Sequence, residues 1–214
     1  LGVFFFFNFK KFKITSQIFN FFFLISISGV VIPGTLFYIA ASKVPAGILS
    51  LSVAFVPMLT YVSSLYLKIE TFSLLRISGV FLGFIAIFLL IGPPDSFADR
   101  SMVPWVLLAM ICPICYTFEN VFIDIKKPME VNSITLALGS SAITILILLP
   151  IIFYFELFID IKYPFQKIEF SIIALGFITA VAYTLFIYLI TNAGAVFASN
   201  VGYVVTISGV IWGI

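Results

Sequence analysis

Polar and turn-forming residues return in this chain only every twenty to thirty positions, and the stretches between them are almost wholly apolar. The apolar runs fall at 17 to 41, 44 to 67, 72 to 92, 103 to 123, 132 to 157, 169 to 191 and 194 to 214. A helix rises 1.5 Å per residue, so runs of about 20 to 26 residues reach about 30 to 39 Å, enough to cross a hydrocarbon layer of about 30 Å with some tilt. Membrane β-strands are excluded by the same pattern, because they need only about ten residues and alternate in polarity. With 63% hydrophobic residues and 9% charged, against roughly 25% charged in soluble domains, lipid rather than water is the main solvent. The expected fold is an all-α polytopic membrane protein with seven complete transmembrane helices. A partial helix at Leu1 to Phe9 reads as the end of one that starts upstream, and the chain as a fragment.

Several function classes are poorly supplied. The net charge of +2 is scattered, so no face collects the basic density that phosphate neutralisation needs, and no nucleic-acid partner is expected. There is no His, so neither a metal site nor a bound cofactor is expected. Cys112 and Cys115 form C-x-x-C inside an apolar run, where small residues serve helix packing. No G-x-x-x-x-G-K-[ST] loop is present to bind ATP. An intramembrane enzyme needs a convergent catalytic set, and Asp95, Asp99, Asp124 and Asp160 are all expected in loops, so no catalytic residues are assigned.

The connections carry the topology. Alternate loops hold Lys10, Lys11, Lys13, Lys68, Arg76, Lys126 and Lys127, while the opposite side holds Lys43, Arg100, Lys162 and Lys167. The excess of seven over four puts the first side in the cytoplasm. Glu70 is expected at that rim, paired with Lys68 or Arg76. Two connections, Ser42 to Pro45 and Asn192 to Gly194, leave almost no loop. Sliding the sequence by 149 positions superimposes them and pairs Leu36-Phe37 with Leu185-Phe186, Ala46 with Ala195 and Ser50 with Ser199. Five spans lie across that offset, an odd number, so the two halves are expected in opposite orientation, a plan of secondary transporters. Pro57, in mid-span, is expected to break its helix.

The stretch Ser42 to Gly92, with its Pro-Ala turn, mid-span Pro57, Glu70, Arg76 and the Gly79/Gly83 pair, resembles the end of an EamA repeat of the drug/metabolite transporter superfamily. A second match is Thr191 to Ile214, where Gly194-Ala195 opens the helix. The resemblance implies a ten-helix protein of two inverted five-helix halves. Residues 1–92 would be the latter part of the first repeat, 93–102 the loop between repeats, and 103–214 the second repeat without its last helix. Thr206 stands where the first repeat has Pro57, which leaves a break in the second half open. The implied function is transport of a small organic solute by alternating access, driven by an ion gradient or by exchange. A receptor or structural helix bundle without transport is the alternative. The lipid bilayer and a small-molecule substrate are the expected partners, and a bacterial inner (plasma) membrane is the expected location.

Glu119 stands out, because a carboxylate at membrane depth is costly unless paired, hydrated or protonated. Tyr116 lies one turn before it and Asn120 beside it. The other reading is that Glu119, about four residues from the end of its run, snorkels to the headgroups. Ser199, Asn200, Tyr203 and Thr206 form a polar stripe after Gly194, Ser50 and Pro57 lie on the corresponding earlier helix, and Tyr183 with Thr184 on the helix between. These residues either hydrogen-bond a substrate in a mostly apolar cavity or join helices. Gly79-x-x-x-Gly83 and Gly209-x-x-x-Gly213 permit close backbone approach, within one chain or between two copies in a homodimer.

Overall fold

The computed structural model describes residues 15–91, 100–157 and 167–212. Seven helical segments follow the apolar runs: α1 Ser16–Ala41, α2 Ala46–Tyr66, α3 Leu74–Ile91, α4 Arg100–Lys126, α5 Ser133–Tyr154, α6 Lys167–Ala193 and α7 Ala195–Trp212. Among the described residues six of the seven expected spans are helices long and apolar enough to cross a bilayer, namely α1, α2, α4, α5, α6 and α7. The helix from the run at 72 to 92, α3, has 18 residues, and many of its side chains lie outside those described. Also outside are the stub at Leu1 to Phe9 and most of the loop at 93–102, with Asp95, Asp99 and Asp160. The chain is thus an all-helical integral membrane protein in which helices satisfy the backbone that lipid cannot.

Among the described residues, prolines account for three of the four places where these helices lose regularity in their interior. A proline has no N–H for the carbonyl four residues earlier and crowds it. Pro57 faces Val53, and α2 breaks next to it at Ala54, into Ala46–Val53 and Phe55–Tyr66. Pro113 stands in the same relation to Ala109, and α4 breaks at Met110. For Pro33 the fourth residue back is Gly29, and here α1 winds into a π-helical turn, Ile27–Val31, between Ser16–Ser26 and Ile32–Ala41. The fourth irregularity, at Asn200 in α7, has no proline. There Ser199 Oγ donates to Val196 O at 2.8 Å, and Asn200 Nδ2 reaches Val196 O and Phe197 O at 3.2 Å, offering those carbonyls an alternative to the helical ladder.

Packing fixes the relative directions. Leu49 of α2 shares a buried cluster with Val106 and Ala109 of α4, and further along Thr60 meets Thr117, so α2 and α4 run parallel. Cys112 Sγ donates to Pro33 O at 3.4 Å, and Phe21 stacks on Phe122, so α1 runs against α4. The largest apolar cluster joins α1, α4, α5, α6 and α7 through Phe21, Phe22, Ile123, Leu136, Ile187 and Ala198. Elsewhere α6 turns outward, with 6% of its most apolar stretch buried, as a lipid-facing helix does.

The short connections are built from local bonds. The amides of Lys43 and Val44 both donate to Ala40 O at 2.9 Å. Gly194 has φ 86°, a left-handed conformation that suits glycine, and it turns α6 into α7. Asp124, expected in a loop, instead lies in the last turn of α4, because that helix continues past its apolar run to Lys126. Its Oδ2 accepts the Ala195 N–H at 3.0 Å and so caps α7 from another helix. Glu70 pairs with Arg76 at 3.0 Å, and the guanidinium lies over the Tyr61 ring. Gly79 has no described neighbour within 4 Å of a built Cβ, while Gly209 lies against Ser50.

Candidate functional site

Glu119 is 1% exposed and lies about two turns inside the end of α4. Its carboxyl does not snorkel: Oε1 accepts a 2.6 Å hydrogen bond from the Tyr183 hydroxyl on α6. On its other side is Gly29, in the π-helical turn of α1, where a Cβ would fall on the Glu119 carboxyl group. The glycine and the π turn therefore make the room that the carboxyl occupies, as π turns often do at functional sites. Among the described residues no cationic side chain pairs with Glu119. A hydrogen-bonded carboxyl without a counter-ion, between three helices, suits recognition of a cationic or hydrogen-donating group. Tyr116 is half-buried one turn earlier on the same helix, and Thr184 Oγ1 is turned to the Ala180 carbonyl of its own helix at 2.8 Å.

Asn120, the next residue, points elsewhere. It is completely buried, and neither its amide nitrogen nor its amide oxygen has a partner. One turn before it, Thr117 meets Thr60 of α2 with the hydroxyl oxygens 3.5 Å apart, at the limit of a hydrogen bond. One turn after Thr60 comes Ser64, also completely buried, and its Oγ has no partner either. The parallel helices α2 and α4 thus enclose a polar seam that is poorly satisfied.

Ser50 and Thr206, by contrast, join α2 to α7. The Thr206 hydroxyl donates to Ser50 O at 2.9 Å and the Ser50 hydroxyl to Thr206 O at 3.3 Å. Between them and the break, a Cβ at Gly202 would approach Val53 O to 3.0 Å and the Pro57 ring to 3.3 Å. The carbonyl that Pro57 leaves without an N–H is therefore covered by the glycine of α7, and the buried Pro57 serves this crossing. Ser199 is 1% exposed and bonded to its own helix. Asn200 and Tyr203 line a separate open pocket of about 470 Å³ between α2, α3 and α7, shared with Pro57, Tyr61, Glu70 and Arg76.

Of the ten expected residues, seven fall into three places, while Asn120 lies in the α2–α4 seam, Tyr116 on α4 before Glu119, and Ser199 bonded within α7. Glu119 and Tyr183 meet across α4 and α6. Ser50, Pro57 and Thr206 belong to the α2–α7 crossing, and Asn200 with Tyr203 to the open pocket beside it. Gly29, Thr60, Ser64 and Thr117 are not among those ten. Pro33 is the signal that locates Gly29, since it disturbs the residue four places before it. Compared with protein-family models, with curated proteins and with solved structures, the chain finds no match.

Proposed function

We propose that the chain is a secondary transporter of the EamA type, moving a small organic solute by alternating access of two inverted halves, driven by an ion gradient or by exchange. The observation that carries this reading is the Glu119–Tyr183 pair, a carboxyl held by a 2.6 Å bond within the bundle and, among the described residues, without a pairing cation. An ionisable side chain kept at membrane depth marks a substrate or ion path more often than a structural role. In this proposal Glu119 and Tyr183 contact the solute, and the four interrupted helices, α1, α2, α4 and α7, supply the irregular backbone that a membrane cavity requires.

The inverted repeat rests on position as well as resemblance. The two helices that cross, α2 and α7, begin at Ala46 and Ala195, separated by the same 149 positions that align the sequence with itself. The contact at their crossing, Val53 with Gly202, has that separation too. A pair related in this way lies on the two-fold axis that inverted halves would share. On the ten-helix plan α1 and α2 take the places of helices three and four, and α6 and α7 those of eight and nine.

The test is uptake into liposomes containing the purified full chain, with pools of labelled amines and other metabolites and an imposed proton or sodium gradient. Gradient-dependent uptake, reduced at least tenfold in Glu119→Gln, is expected. Absence of uptake from every pool, with the protein folded and inserted, would reject transport in favour of a helix bundle without that activity.

A further inference from the structure

Resting on the transport reading, we propose that α2 and α4 part along the seam of Thr60, Ser64, Thr117 and Asn120, opening a water-filled path that exposes the Asn120 carboxamide to the solute. Buried polar atoms almost always find partners. Here three atoms on two facing helices find none, namely Ser64 Oγ and both polar atoms of the Asn120 amide, while Thr60 and Thr117 hold each other only at 3.5 Å. Such a seam loses little on separation and gains hydration for every one of these groups.

The neighbouring seams carry more hydrogen bonds, although Thr144 Oγ1 on α5 is also buried without a partner. At the α2–α7 crossing Ser50 and Thr206 exchange hydrogen bonds, and Gly202 and Gly209 bring the backbones together. At the α1–α5 seam Ser26 Oγ donates to Phe22 O at 2.6 Å and lies 2.8 Å from Ser140 O, and Gly139 receives the Phe22 ring. Helix α2 is therefore hydrogen-bonded to α7, while against α4 it packs through apolar contact at Leu49 with Val106 and Ala109 and leaves its polar groups unsatisfied, so it moves with α7 when the seam opens. The group uncovered is an amide with both donors and an acceptor free, complementary to a solute group that accepts and donates together, such as a carboxamide or an amino acid's ammonium and carboxylate.

Two serines make the test independent of the substrate. Ser64 and Ser26 are both completely buried, and static burial protects them equally. Each is replaced by cysteine in a full chain carrying Cys112→Ala and Cys115→Ala, reconstituted in liposomes and treated with a water-soluble methanethiosulfonate reagent. Ser64→Cys is expected to react at least tenfold faster than Ser26→Cys, and Asn120→Cys to behave like Ser64→Cys. Equal rates, whether both slow or both fast, overturn the proposal, the first because the seam stays shut and the second because the whole bundle breathes. If Ser64→Cys does not elute as folded protein, Thr60→Cys carries the same comparison. Fast labelling with no solute uptake upholds the opening seam and counts against transport alone.

Discussion

At the scale of single residues, the arrangement around Glu119 makes sharp demands. Tyr183→Phe removes the hydroxyl donor to a buried carboxyl, and leaving such a group unsatisfied costs about 1 to 3 kcal/mol. In thermal unfolding in detergent, Tyr183→Phe is expected to lower stability in the presence of Glu119, and to do so much less in a Glu119→Leu background. Gly29→Ala is the steric counterpart. Its methyl would meet the Glu119 carboxyl, and overpacking of that kind costs about 1 to 3 kcal/mol. Glu119→Ala in the same chain is expected to restore most of that loss, and additivity of the two substitutions would show that the residues do not touch. Glu119 was legible from the sequence because a charge in an apolar run is conspicuous. Gly29 was not, because a glycine declares its purpose only when the side chain opposite it is known.

Helix boundaries are the most legible level. Each apolar run became a helix within a few residues of its expected limits, since length and hydropathy decide insertion. The breaks were legible in part. Pro57 was recognised as a disturbance, and the rule applied to it also reaches Pro33 and Pro113. The break at Asn200 has a different origin, in side chains that bond their own backbone, which answers how α7 breaks with Thr206 where α2 has Pro57. At the crossing, Gly202→Leu is expected to drive α2 and α7 apart, because nothing at Val53 O or the Pro57 ring yields easily. A loss of about 1 to 3 kcal/mol follows from such overpacking, measurable by denaturant titration in mixed micelles. Wild-type stability in that variant would remove the close crossing.

For the whole molecule, the sequence showed that helices exist but not which of them touch. Pairing depends on small complementary features, such as a ring against a glycine or a hydroxyl against a carbonyl, and apolar runs do not encode these. The near absence of buried residues along most of α6 is an instance, since its composition matches that of the better buried helices. Topology, in contrast, follows from charge. The Lys126–Lys127 end of α4 and the Ser42–Lys43 turn are expected on opposite sides of the bilayer, the former cytoplasmic. Cysteines placed at Lys127 and at Lys43 should be labelled by an impermeant maleimide from opposite faces of oriented vesicles. Labelling of both from one face would revise the number of crossings between them.

The cap that Asp124 gives to Ala195 joins positions 71 residues apart. A ribosome makes α4 well before α7, so the acceptor for the first amide of α7 is installed while that helix has yet to emerge. Two intervening helices must enter the bilayer and return the chain to the same side before the bond closes. The carboxylate of Asp124 thus acts as a latch set early in biosynthesis, and it closes only on a chain whose intermediate crossings have been threaded in the right sense. Asp124→Ala is expected to speed hydrogen exchange at Ala195 and Val196, and to raise the share of newly made chains that a protease can reach at Gly194. A share unchanged from wild type would reduce the contact to an ordinary helix cap.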